Sequence, residues 1–549
     1  MTTEGPVDLS PAEPPNVFNS LVGAAALIAV VTVVARVVGF ARIVVFARTV
    51  GPATCLGNAY FTSNTVPNIV FEIVAGGALA SLVVPVLAGP AADGNRLETS
   101  HTVSALLTWT VLILTPIAVI GIWLVHPVMH ALVGDSGRCD TAAVTSTGAR
   151  MLLVFLPQIV LYGVGIVLAG TLQAHRRFVG PAMAPLLSSL VVIATYLTFA
   201  AVFSGDPNNL GGVHRSDELI LSVGTTVGVA VLSLSLLVPL RRARVGIRPS
   251  LRFPPGIARR VQALALAGVA TLFAQEAAVA VVLRLANDDG PRGSVTVYNL
   301  AWTVFLLPWA VLAVPIATSA FPRMSAAASV DDLALFAETT RRATRAVIVV
   351  TCGAAAVMVA TAEPIATVLV KHGPGATAGD VHALSRAIAA FAPGLVGYGL
   401  VATLGRALYA EGRGRAAAGA TAIGWFAVIG ADLLFVSLSR QADSVPALAA
   451  GNSVGMTVAG VLLVYAFTRG TPHALRSVGR STCVATAAGV VAGALGLAVV
   501  AALGSTSVPM SIAAGLLAAA ICVVTFGVVV AVADREAVRD LRDRAAGHA

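Results

Sequence analysis

The chain has 549 residues, of which 57% are hydrophobic and 11% charged, with a formal net charge of +9. That balance excludes a soluble enzyme, because almost every stretch between charged clusters reaches the roughly 20 apolar residues that cross a bilayer. An aromatic content of 6% with little period-2 alternation excludes an outer-membrane barrel, and in a membrane protein the positive charge reports topology rather than a nucleic-acid partner.

The first 16 residues hold Glu4, Asp8 and Glu13 and no basic residue, so they lack the basic start of a signal peptide. Residues 1–19 are read as a disordered cytoplasmic tail. Fourteen apolar segments come after it, at about 21–48, 61–87, 103–125, 148–172, 181–203, 216–240, 261–286, 295–320, 343–368, 383–405, 416–438, 445–468, 482–503 and 509–532. Gly39 and two arginines interrupt the first, which is how a bent or broken helix at a membrane cavity reads. The expected fold is therefore all-α and polytopic. It has an N-lobe of six spans over 20–240, a basic cytoplasmic linker over 241–260, a C-lobe of six spans over 261–468, a final pair of spans over 469–532 and a cytoplasmic tail over 533–549.

The basic residues test this count. The even-numbered loops and the C-terminal tail hold 24 of the 35, against six in the odd loops, namely Arg48, Arg138, Arg215, Arg292, Lys371 and Arg440. Cytoplasmic loops carry the excess of Lys and Arg, so both termini are expected in the cytoplasm.

Spans four and ten repeat one another. Phe155, Pro157, Tyr162, Gly163, Leu172 and Ala174 recur as Phe391, Pro393, Tyr398, Gly399, Leu408 and Ala410, and Tyr60 recurs as Tyr298. Six spans separate the copies, an even number, which makes a parallel repeat of two lobes about a central cavity.

Charged groups inside spans mark function, because burying one in a bilayer costs at least about 2.5–3.5 kcal/mol. Arg36 and Arg42 lead the candidates for contact with an anionic substrate, since guanidinium grips phosphate oxygens in two-pronged fashion. Gly39 lies between them as the point of bending. Span seven carries Glu276 and Arg284, span two Glu72 and span eleven Asp432. These carboxylates are candidates for neutralising an arginine or coupling a cation or proton. Arg150 and Arg386 begin spans four and ten as interfacial anchors. The five cysteines show no metal spacing; Cys55 and Cys139 are a candidate disulfide, since both fall in outward loops. No phosphate-cradling loop, Ser/His/Asp arrangement or HExxH pair is present, so a transporter is expected rather than an enzyme, without a cofactor.

The stretch from Ala35 to Gly51 (ARVVGFARIVVFARTVG), then Asn58-Ala-Tyr-Phe, Pro67-Asn68, Gly77-Ala78 and Val84-Pro85, resembles the start of the MurJ (MviN) family. These are lipid II flippases of the multidrug/oligosaccharidyl-lipid/polysaccharide exporter superfamily. The resemblance implies the layout above and a bacterial plasma-membrane location. It also implies that Arg36 and Arg42, with Gly39 and Asn68 beside them, line a cavity that takes the diphosphate of an undecaprenyl-linked disaccharide-pentapeptide, moved from inner to outer leaflet by alternating access. Members differ in whether sodium ions or the membrane potential drives them, and Asp432 lies where a cation ligand of span eleven falls. The chain departs from the family's pattern at Asn58 (aspartate), Phe71 (arginine), Gly76 (acidic) and Thr303 (arginine). Arg284 is the candidate to replace the missing charge. The departures also admit another polyprenyl-linked glycan as cargo, and a non-transporting scaffold for cell-wall synthesis proteins is the alternative of another class.

Overall fold

The computed structural model describes residues 17–73, 87, 96–134, 139–175, 177–243, 245–252, 257–374, 376–471, 474–475, 478–504, 507–534 and 536; the side chains of 17–29, 96 and 257–270 are not among what is described. The expected motif residues Gly76, Gly77, Ala78, Val84 and Pro85, and most of both tails, lie outside these residues.

The described chain is helical throughout, with no strand. The N-lobe consists of α1 (Val17–Thr49), α2 (Cys55–Phe71), α3 (Arg96–Val133), α4 (Thr141–Phe155), α5 (Pro157–Ala174), α6 (Val179–Val202), α7 (Arg215–Leu234) and the short α8 (Leu237–Arg242). The C-lobe consists of α9 (Ile257–Asp288), α10 (Ser294–Pro308), α11 (Val314–Ser329), α12 (Leu333–Val370), α13 (Ala378–Phe391), α14 (Gly394–Ala410), α15 (Gly414–Leu438) and α16 (Ser444–Gly470), and α17 (Val478–Leu503) and α18 (Val508–Ala533) complete the chain. Among the described residues, eleven helices are long and apolar enough to cross a membrane, twelve when the bent pair α13–α14 counts as one span. The expected count of fourteen is not reached on this test. The other two segments, 61–87 and 261–286, fall on α2 and α9: α2 meets undescribed residues after Ile73, and the first half of α9 has no described side chains.

Local chemistry explains where helices begin. Thr54 accepts a hydrogen bond from the Gly57 N–H at 2.9 Å, Asp140 caps α4 through the N–H groups of Ala142 and Ala143, and Thr377 and Asp380 form a reciprocal capping box on α13. Each satisfies N–H groups that the first turn leaves unpaired. Span one, expected to be bent or broken, is not broken: α1 runs as continuous helix through Gly39. Breaks occur instead in spans four and ten, where Pro157 and Pro393 lack an N–H to continue the ladder; α13 and α14 meet at 43°.

The repeat appears as matched contacts. Tyr60 packs on Phe155 at 5.8 Å between ring centroids, and Tyr298 on Phe391 at 5.4 Å. Phe71 meets Tyr162, and Trp309 meets Tyr398, both at 4.7 Å. The paired arginines match likewise: Arg150 binds Glu218 at the start of α7, and Arg386 binds Asp443 just before α16. Arg150 and Arg386 thus join two helices of each lobe, beyond the anchoring role expected of them.

The first ion pair is asymmetric, because the Glu218 side chain is 4% exposed and that of Arg150 is 40%. Removing the arginine strands a buried carboxylate, whereas removing the glutamate leaves a cation that water reaches. Arg150→Ala is expected to cost about 1–3 kcal/mol and Glu218→Ala clearly less, an ordering that thermal unfolding in detergent checks.

Candidate functional site

A cavity of about 270 Å³ lies between the lobes. Arg42 enters it from α1, Tyr60, Asn64 and Asn68 from α2, Tyr162 from α5, Ser188 and Tyr196 from α6, Thr225 from α7, and Asn299 and Thr303 from α10. The period of α2 puts Tyr60, Asn64 and Asn68 one turn apart on a single face. Tyr60 anchors the wall, its hydroxyl 2.9 Å from that of Tyr196 and 2.7 Å from Thr225 Oγ1. Asn68 Nδ2 donates to the Asn64 carbonyl at 3.2 Å, and the Asn64 side-chain oxygen has no partner among the described residues.

Arg42 is the charged residue of this lining; no carboxylate among the described residues shares it. Neither Arg42 nor Arg36 makes an ion pair among the described residues. Arg36 lies six residues before Arg42, about 9 Å along the helix, exposed and off the cavity wall. Gly39 between them has open space where a Cβ would stand. Two of the four departures from the family pattern lie on or beside this site: Thr303 is part of the wall, and Phe71 packs on the wall residue Tyr162.

Arg284, expected to compensate for the missing arginines, is not part of the cavity lining. It is held 2.8 Å from Asp288, one turn on, against the backbone at Gly134. The expected carboxylates also lie off the wall. Glu276 is buried and accepts from Gln275 Nε2 at 3.2 Å, and Glu72, just past the end of α2, is half-buried. Asp432 is fully buried, and neither carboxyl oxygen has a hydrogen-bond partner among the described residues. Gly451 of α16 sits directly against Asp432, with the Asn452 side-chain oxygen next to it in sequence, also without a partner among the described residues.

One end of the molecule, that of the arginine-poor odd loops, is closed over the cavity. Asn58 Nδ2 donates to Asn287 Oδ1 at 2.6 Å, and Asn287 Nδ2 lies 3.0 Å from the Leu132 carbonyl and 3.3 Å from Thr62 Oγ1. Arg48 donates to the Val368 carbonyl at 3.2 Å. Two glycines permit the approach: Gly51 (φ +91°) lies under the Pro374 carbonyl and Gly293 (φ +79°) against Pro52, each with the left-handed backbone that favours glycine and no room for a Cβ. Cys55 and Cys139 are joined by a disulfide at this end.

A second space, about 680 Å³ and almost wholly apolar, runs between α10, α12 and α18, lined among others by Val304, Leu307, Met358, Phe526 and Val530. Leu300 and Thr303 line the polar cavity while Val304 and Leu307 line this groove. One helix, α10, is thus wall to both. Sequence reading missed this groove and the Asn58–Asn287 closure; the exposed apolar positions of α18 were the available signal for the groove.

The family model for the lipid II flippase MurJ matches residues 46–530. The chain belongs to the MurJ family. A lipid II flippase MurJ of Burkholderia cenocepacia is 29% identical over 150 residues, and that alignment spans 27% of each protein. Among solved structures, a lipid II flippase MurJ in an inward closed conformation shares the fold with a TM-score of 0.70 at 17% identity, covering 90% of this chain and 98% of that one. A multidrug resistance MATE family transporter of the MOP superfamily, in its inward-facing conformation, matches at 0.64 and 15%, covering 81% and 95%. The MurJ fold makes this a multi-pass membrane protein with two lobes around the Arg42 cavity.

Proposed function

We propose that this MurJ-family chain carries lipid II, an undecaprenyl-diphosphate-linked glycopeptide, from the inner to the outer leaflet of the bacterial plasma membrane by alternating access. The observation that carries this reading is the shared wall of α10: a polar cavity bearing Arg42, with no carboxylate among its described lining, on one side and an apolar groove on the other. An amphiphile whose diphosphate needs a cation and whose polyprenyl chain needs hydrocarbon fits that pair of spaces. No bond is made or broken, so no catalytic group is required. The arginine-rich loops and both termini face the cytoplasm, where a positive excess belongs. At about 270 Å³ the cavity is smaller than a site for a drug-sized ligand, so the head group enters as the lobes part at the arginine-rich end while Asn58 and Asn287 keep the other end shut. Arg36, exposed on the approach, meets the diphosphate first and Arg42 holds it. Cell-wall synthesis proteins that consume the product are the partners such a carrier requires.

Thr303, standing where the family commonly has arginine, supports a second cargo, another polyprenyl-linked glycan. Expression in a host depleted of its own lipid II flippase separates the two: growth and outer-leaflet lipid II return for the first and do not for the second.

For the driving force, Asp432 is the residue to test. Two bare carboxyl oxygens in a buried site suit a desolvated cation. If sodium binds there, it stabilises the folded chain by mass action, by about 2.7 kcal/mol at a hundred times its dissociation constant. NaCl is therefore expected to raise the unfolding temperature relative to choline chloride, and Asp432→Asn to abolish the rise. A flat response of the unaltered chain assigns the work to the membrane potential instead.

A further inference from the structure

A third space lies apart from the cavity and the groove. It is a cleft of about 430 Å³ at the arginine-poor end, lined by Arg48, Lys371, His372, Ser507, Val508 and Pro509. Three elements far apart in sequence build it: the last turn of α1, the end of α12 and the start of α18. The odd loops hold six basic residues in all, and two of them, Arg48 and Lys371, meet here. The charge rule that orients the chain keeps such residues scarce on this face, so their convergence is not a by-product of composition. Arg48 is steadied by its hydrogen bond to the Val368 carbonyl, 320 positions away, and Arg48 and Lys371 are exposed at the rim. No carboxylate among the described residues lines the cleft.

The positive end of α18 opens into the same space, with Ser507 as its cap. The next turns of α18 decide the kind of anion. Met510, Ile512 and Leu516, just beyond the cleft, are 42%, 47% and 68% exposed. A helix surface this apolar faces hydrocarbon, so the cleft sits at headgroup level with acyl chains directly beneath it.

We propose that this cleft binds the phosphate of an anionic lipid in the leaflet at the arginine-poor face, with Arg48 and Lys371 as its principal ligands. The assignment does not depend on what the central cavity carries. Two lipids supply the chemistry, an anionic glycerophospholipid or a polyprenyl diphosphate arriving as transported product. The same helix, α18, lines the apolar groove at Val523–Ala531 and the cleft at Ser507–Pro509, so a tail in the groove and a phosphate in the cleft are served by one element.

The test is native mass spectrometry of the full chain in detergent, titrated separately with phosphatidylglycerol, phosphatidylcholine and undecaprenyl diphosphate. A basic contact at a membrane surface is worth about fivefold in binding. The double substitution Arg48→Gln/Lys371→Gln is therefore expected to weaken one anionic-lipid binding event roughly 30-fold and leave phosphatidylcholine unaffected. Arg48→Lys/Lys371→Arg, which keeps both charges, should retain it. Loss confined to undecaprenyl diphosphate identifies transported product as the occupant; loss of phosphatidylglycerol as well identifies bulk phospholipid. Unchanged affinity for both anionic lipids in the doubly neutralised chain overturns the proposal.

Discussion

Arg42→Ala is expected to lose rescue of a flippase-depleted host while the protein still accumulates in the membrane. The guanidinium stands on the cavity wall without a carboxylate to neutralise it among the described residues, so its charge is available to the substrate. Charge-assisted hydrogen bonds contribute about 1.5–3 kcal/mol each, which places the loss at roughly 10- to 150-fold in lipid II appearing in the outer leaflet. Arg42→Lys should be intermediate, keeping the charge and losing the two-pronged geometry. Arg36→Ala should be milder, because that side chain lies off the wall. Arg42→Ala/Thr303→Arg should recover part of the activity, since both positions face the same space. Full activity of Arg42→Ala would remove the cavity as the diphosphate site.

The second large effect concerns the closed end. With the three free cysteines replaced, Asn58→Cys/Asn287→Cys should be joined by a short bismaleimide in high yield, because the native side chains are 2.6 Å apart. Once joined, the chain should cease to transport, whereas either single substitution treated alike should stay active. Alternating access requires these lobes to separate at this end in every cycle. Transport by the cross-linked protein would show that the substrate leaves by another route.

Much of this was legible in the sequence, and for identifiable reasons. Bilayer thickness imposes a length on every span, so hydropathy found the helices that TM-length apolarity marks, while ends that run past the hydrocarbon, as in Arg96–Val133 and Leu333–Val370, lie up to ten residues beyond the expected bounds. The cost of burying charge put Arg36 and Arg42 first among the candidates, and of the two Arg42 lines the cavity. The helix breaks at Pro157 and Pro393 were visible as repeated prolines, yet the span-length pattern concealed them because both halves are equally apolar. The Arg284–Asp288 pair was not legible, because Asp288 lies one turn on, just past the apolar segment that ends at 286. The Asn58–Asn287 contact joins positions 229 apart; neither residue is charged, so neither stands out from hydropathy or from topology.

The disulfide between Cys55 and Cys139 has a mechanical meaning beyond its two residues. It fastens the start of α2 to the segment leading into α4, three positions before Asn58. The N-lobe half of the closure is thereby a stapled jaw, its parts unable to drift relative to one another. The opposing segment, from Asn287 to Gly293, carries no such staple. Opening is then lopsided: one jaw stays rigid as the anvil, and the hinge travel falls to the turn between α9 and α10, where Gly293 already holds the backbone in a conformation few other residues tolerate.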